Sequence, residues 1–160
     1  MAGAHDDALR PSLRSFDSPT CRGNVTPAVR VRREVISLMR EAARETPERE
    51  CCGLLAGRDG IITRILPAQN ALDSATAYEI ALAELFRLMR QIRGEDLEML
   101  GIYHSHPRGE NRPSPRDIAS AFYSEAAYFI ISPLADAPQP VRAFSIRDGR
   151  VTELQIEITP

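Results

Sequence analysis

Residues 101–118 read GIYHSHPRGENRPSPRDI. Two of the chain's three histidines, His104 and His106, stand one residue apart at the end of an apolar run. On an extended strand, residues i and i+2 point to one face. His104 and His106 therefore project together, with Tyr103 and Ser105 on the opposite side, and two imidazoles on one face can bind one metal ion. Pro107 ends the run, which sets the pair at a sheet edge beside a polar loop, where functional side chains concentrate. Farther along, Ser114, Pro115 and Asp117 have the spacing of a helix start: a capping serine, proline at the first helical position, and a carboxylate three residues after the serine. The same placement points Asp117 out of the first helical turn toward the loop. There it can complete a His-His-Asp set, the three-ligand pattern with which zinc hydrolases leave a fourth position to water.

Working outward, the spacing predicts an α/β chain. Val35, Ile36, Met39, Ala42 and Ala43 recur at helical intervals over 31–46, and Pro47 ends the pattern. CCGLLAG at 51–57 reads as a buried strand, Arg58-Asp59-Gly60 as a hairpin turn, and 61–69 as its partner strand. A short strand is expected at 78–80. An amphipathic helix over 81–94 is expected to turn Leu82, Leu85, Phe86, Met89 and Ile92 inward, with Gly94 as its stop. The run 97–106 is the central strand candidate, and 114–124 a short helix. Three more strands follow, the last two joined at Asp148-Gly149. The expected architecture is a mixed, mostly antiparallel sheet of about six strands with two or three helices.

Composition bounds the function. The chain has 160 residues, enough for one domain with a proper core, and is 43% hydrophobic and 26% charged. Its formal net charge of −2 leaves no basic footprint for nucleic acid. No apolar run reaches the roughly 18 residues of a membrane span, and the N-terminal stretch lacks the charged-then-apolar pattern of a signal peptide. Three cysteines, two of them adjacent (Cys51, Cys52), suit a reducing compartment, so a cytoplasmic location is expected. Residues 1–25, which include His5, are expected to form a disordered tail, and 26–160 a single domain.

His104-Ser105-His106, seven intervening residues, then Ser114-x-x-Asp117 resembles the motif of the JAMM, or MPN+, zinc metalloproteases. The words GIYHSHP, PSPRDI and, upstream, ERECCGLLAG are similar to the short prokaryotic branch of that family. The resemblance spans roughly residue 31 to the C-terminus. It implies a single-domain, cytidine-deaminase-like JAMM fold. It implies one Zn2+ per chain, held by His104, His106 and Asp117. It implies that Glu50 is the general base on the attacking water and that Ser114 donates to the developing oxyanion. The substrate class it implies is a ubiquitin-like sulfur carrier protein of the ThiS or MoaD type, cut after its C-terminal Gly-Gly.

Rival readings stand beside these. Without the resemblance Glu50 and Glu48 are solvated charges, and Glu48 is the nearest alternative base. Cys51 and Cys52 lie in an apolar strand, where cysteine behaves as a small hydrophobe. Arg108 and Arg112 flank the histidines and could guide an acidic or C-terminal peptide. The fold also serves as a non-catalytic MPN scaffold, and two histidines plus a carboxylate suit a non-haem iron oxygenase. A cytidine-deaminase chemistry needs a Pro-Cys-x-x-Cys, which this sequence lacks.

Overall fold

The computed structural model describes residues 26–160; the expected tail at 1–25, with His5, lies outside them. Seven strands and three helices follow one another as β1 (Ala28–Arg32), α1 (Arg33–Glu45), β2 (Cys52–Arg58), β3 (Ile61–Ala68), α2 (Leu82–Gly94), β4 (Glu98–Ser105), α3 (Pro115–Ala119), β5 (Ala127–Ile131), β6 (Val141–Arg147) and β7 (Arg150–Thr159). The α/β class and the mixed sheet agree with expectation; the strand count and the sheet's form do not. In place of about six strands in a sheet, seven close on themselves in the order β1-β3-β2-β4-β5-β6-β7. The closing strand is β1, which pairs in parallel with both β3 and β7. Its sequence, AVRVR, alternates apolar and charged residues with Val31 buried, a period of two that a helix beginning at 31 obscured. Residues 78–80 form no strand: Ile80 makes one isolated bridge to Asn70.

Both hairpin turns are as expected. Asp59 and Gly60 have φ of 55° and 70°, and Asp148 and Gly149 have 50° and 74°. Paired positive φ values match the right-handed twist of the flanking strands, and Asp-Gly reaches them at low cost.

The central strands are buried on both faces. In β5, AYFII, all five residues are buried, the unbroken apolar run of a strand covered on both sides. Ala127, Phe129 and Ile131 join Val35, Met39 and Ala43 of α1 in one core, whereas Tyr128 and Ile130 join Leu88 and Ile92 of α2 in a second. Two of the α2 residues expected inward are not: Leu82 is 65% exposed and Phe86 59%. At about 100° per residue they lie roughly 70° and 110° from the centre of the stripe formed by Leu85, Leu88, Met89 and Ile92. The apolar stripe is wider than the face the sheet covers. The helix expected over 114–124 stops at Ala119. Tyr128 Oη holds the chain beyond it, accepting from Tyr123 N (3.0 Å) and donating to Tyr123 O (3.2 Å).

Gly53 marks where backbone meets core. A Cβ there would collide with the Leu66 carbonyl and lie 2.6 Å from the Tyr103 ring, which is fully buried. Gly53→Ala is expected to lower stability by about 1–3 kcal/mol, the usual cost of overpacking, read as a shifted urea midpoint with unchanged slope.

Among the described residues no helix is long and apolar enough to cross a membrane.

Candidate metal centre

The strand register brings the site together. In the antiparallel β2–β4 pair, Cys52 faces His104. Directly opposed residues share a face, so two further positions along set Glu50 opposite His106. Glu50, Cys52, His104 and His106 thus point to the side that carries α2. Between them, Ser105 N donates to Cys51 O (3.0 Å) and Cys51 N donates to Ser105 Oγ (2.9 Å), fastening the two chain segments on the other face. The parallel neighbour β5 holds the end of β4: His106 N donates to Ile131 O at 2.9 Å. Because β4 and β5 run parallel, the chain must cross between them, and this crossover carries α3.

Helix α3 delivers Asp117 to the histidines. Ser114 N donates to Asp117 Oδ2 (2.7 Å) and Asp117 N donates to Ser114 Oγ (3.2 Å), a complete capping box with Pro115 in the first turn. The cap therefore exists as expected, and it fixes Asp117 rather than consuming it. His104 Nε2 lies 3.4 Å from Asp117 Oδ1, His106 Nε2 lies 3.3 Å from Asp117 Oδ2, and the two Nε2 atoms are 3.0 Å apart. Among the described residues this is the one group of three histidine, cysteine or acidic side chains placed to hold a metal ion.

The donor set passes a test for zinc. Donors about 2.0–2.1 Å from a tetrahedral ion stand roughly 3.3 Å from one another, and the three separations fall around that value. His106 Nδ1 donates to Glu110 O at 2.8 Å, which fixes the tautomer and leaves the Nε2 lone pair facing the centre. His104 is oriented differently. Its Nδ1 is buried without a partner, and its ring stacks on Tyr78 with centroids 4.5 Å apart and planes 24° from parallel.

Electrostatics follow from burial and proximity. His104 is 1% exposed, and burial lowers its affinity for a proton. Burial pulls His106 the same way, but its bonds to Asp117 and Glu110 O, with the charges of Asp117 and Glu50, raise it overall. Burial also opposes ionisation of Asp117, yet the bonds from both histidines hold its carboxyl far below the usual carboxylate range. Glu50 is 4% exposed and its Oε2 has no partner. Burial lifts its carboxyl to about 7, Asp117 adds to the rise, and His106 and Arg116 oppose it. A carboxyl poised near neutrality beside such a cluster of ligand side chains is suited to proton transfer.

Burial and pairing, not distance from the centre alone, set the rival residues apart: Cys52 itself lies opposite His104. Glu48 is exposed and pairs with Arg108 at 2.9 Å, and Arg112 lies 3.9 Å from Glu110. The Cys52 thiol is pushed up to about 12 by burial, and that of Cys51 is raised for the same reason. Cys52 is therefore expected to react with iodoacetamide at pH 8 on the order of 10³-fold more slowly than free cysteine and to label fully after denaturation; peptide mapping reads both states. Tyr78 and Glu110 touch the centre without a sequence signal: one acts through a ring stack from a loop, the other through a backbone carbonyl.

Residues 32–147 match the family described as prokaryotic homologs of the JAB domain (Prok-JAB). The chain is 32% identical over 130 residues to the CysO-cysteine peptidase of Mycobacterium tuberculosis, covering 80% of this chain and 89% of that protein. It is 37% identical over 114 residues to a probable TtuB-protein conjugate cleaving protease of Thermus thermophilus, covering 71% and 72%. The solved structure of DSY2949 from Desulfitobacterium hafniense superposes with a TM-score of 0.72 at 31% identity, over 82% of this chain and 92% of that one. On the strength of that family match and of a relative 32% identical over most of both chains, the chain belongs to the prokaryotic JAB branch of the JAMM/MPN family.

Proposed function

We propose that the domain spanning 26–160 is a zinc-dependent peptidase that cleaves the amide or isopeptide bond after the C-terminal Gly-Gly of a ubiquitin-like sulfur carrier protein. The observation that carries this reading is the convergence of His104, His106 and Asp117 with a buried Glu50 whose Oε2 has no partner, on the same face. The activities for which the mycobacterial and Thermus relatives are named support the substrate class.

His104, His106 and Asp117 would hold one zinc ion per chain. Such an ion supplies Lewis acidity toward the scissile carbonyl and lowers the pKa of a water toward ~7. Glu50 takes a proton from the attacking water on its carboxylate and returns it to the leaving amine. Burial raises its proton affinity above that of an ordinary carboxylate, which favours its taking up a proton. Ser114 serves twice. Its oxygen lone pair accepts from Asp117 N, while its hydroxyl proton stays free to donate to the oxyanion. The capping and catalytic readings use different parts of one hydroxyl and do not compete.

The recess of the site favours Gly-Gly. With His104 and His106 at most 9% exposed, a scissile carbonyl approaches closely only on a chain without bulky side chains. Beside the centre, Tyr78, Ile80, Leu85, Phe122 and Tyr123 line an apolar groove of about 260 Å3. Together with exposed Leu82 and Phe86, it suits the body of a small folded partner. The named strands close on themselves, so a tail added as a strand would pair with the segment 78–80. Cys51 and Cys52, unbridged among the described residues, fit a cytoplasmic location.

Intact-mass analysis of a ThiS-type carrier extended past Gly-Gly tests the proposal. The expected result is loss of the extension after the second glycine, abolished by a chelator and restored by zinc. Cleavage that survives zinc removal, or no cleavage of any extended carrier, contradicts it. Ser114→Gly separates that residue's two roles. Glycine costs a helix cap only a few tenths of a kcal/mol, whereas a lost oxyanion donor lowers kcat about 10²–10³-fold. Kinetics and urea denaturation on the same preparation read the two effects.

A further inference from the structure

The loop between β3 and α2 folds back across the metal centre, and one side chain holds it there. Asn70 Nδ2 donates to Glu50 O (3.1 Å) and to Ala77 O (2.9 Å), while Asn70 Oδ1 accepts from Leu72 N (3.0 Å) and Glu79 N (3.1 Å). Two carbonyls face the nitrogen and two N–H groups face the oxygen, so the partners themselves fix which way the amide points. The full capacity of an amide side chain is used: two donors and two lone pairs. Backbone bonds complete the closure, with Glu50 N donating to Ser74 O (2.8 Å) and Ala71 N to Glu79 O (2.8 Å). The loop therefore grips Glu50 at both its N–H and its carbonyl. It also places Tyr78, next to Ala77, on the His104 ring.

We propose that Asn70 is a positioning residue for the reaction: through its four bonds it sets the Glu50 carboxylate against the histidine–aspartate cluster and seats Tyr78 on His104. The inference rests on the hydrolase reading of that cluster. It follows from geometry at two points. The Glu50 carboxylate has no partner at Oε2, so its position is inherited from its backbone. The His104 ring has no partner at Nδ1, so its orientation is shared with the Tyr78 stack. Aspartate is too poor in donors to replace Asn70, glutamine is one methylene too long, and serine cannot reach two carbonyls.

Asn70→Asp is the isosteric test. It keeps both acceptor bonds, loses both donor bonds and sets a carboxylate against the carbonyls of Glu50 and Ala77. With zinc-loaded protein and a ThiS-type carrier extended past Gly-Gly, well below the variant's Tm, kcat is expected to fall about 30–100-fold with KM little changed; a misplacement of about 1 Å suffices for that. Zinc content stays at about one per chain. Hydrogen–deuterium exchange rises in peptides covering 48–52 and 69–80 but not in 101–107 or 114–120. Asp73→Asn, in the same loop, breaks only the exposed ion pair with Arg49 and leaves kcat as in wild type. A wild-type kcat in Asn70→Asp alongside a lowered Tm, or unchanged exchange at 48–52, overturns the inference and leaves the hydrolase reading standing. A wild-type protein that cleaves nothing overturns the hydrolase reading, while the exchange data still decide whether Asn70 holds Glu50. Should Asn70→Asp fail to fold, side-chain amide NMR of the wild type decides: both Nδ2 protons protected from solvent is the expected result, and rapid exchange of either overturns the claim.

Discussion

Glu50→Gln is expected to lower kcat by about 10²–10⁴-fold, the range that a positioned acid–base group contributes, while zinc content stays at about one per chain. Glutamine has nearly the shape of glutamate but cannot accept the proton of the attacking water. Glu50 lies outside the three-residue donor group, so its loss should not release metal. Its buried, unpartnered Oε2 makes a further outcome specific: removing a charge that is costly to bury is expected to leave Tm unchanged or raised. Activity then falls with no loss of stability, the signature of a group kept for function. Steady-state kinetics, metal analysis and a thermal melt on one preparation read all three. Retained activity would move the base elsewhere, with exposed Glu48 the first residue to test.

Asp117→Ala is the second large effect. It removes the one carboxylate of the donor set and one half of the capping box together. Zinc affinity is expected to fall by more than the roughly 100-fold that loss of an outer-shell partner costs, and α3 loses about 1 kcal/mol typical of a cap. Asp117→Asn distinguishes the two, because its side-chain oxygen still accepts from Ser114 N. That variant should keep the cap and still bind zinc weakly, since the anionic donor is gone. Equal zinc affinity in the Asp117→Asn variant and the wild-type protein, measured by competition with a chromophoric chelator, would mean that His104 and His106 hold the metal without Asp117.

How much of this was legible in the sequence depended on distance along the chain. The two Asp-Gly turns, the shared face of His104 and His106, and the Ser114–Asp117 box are local patterns, each set by a few neighbouring dihedrals. Their positions agree with the structure. The placement of Glu50 against His106 depends on pairing between β2 and β4, remote in sequence, and only the family resemblance indicated it. β1 went unread because five residues of alternation merge into the helix that follows, and its partners in β3 and β7 lie 31 and more than 100 residues away. Leu82 and Phe86 belong to an apolar stripe that periodicity reads as core, although only the sheet's extent decides how much of a stripe is covered. The stack of Tyr78 on His104 was equally out of reach, because it depends on a loop closed by Asn70 rather than on any strand at 78–80.

His104, His106 and Asp117 would form a nitrogen–oxygen zinc centre on the face shared by β4 and α3. X-ray absorption at the zinc edge of protein purified without chelator tests it most directly. The expected result is about one zinc per chain, two imidazoles among its ligands, nitrogen or oxygen donors at roughly 2.0–2.1 Å and no sulfur shell. A sulfur shell near 2.3 Å, which would bring in Cys51 or Cys52, or a protein that takes up no zinc when it is supplied, would contradict it.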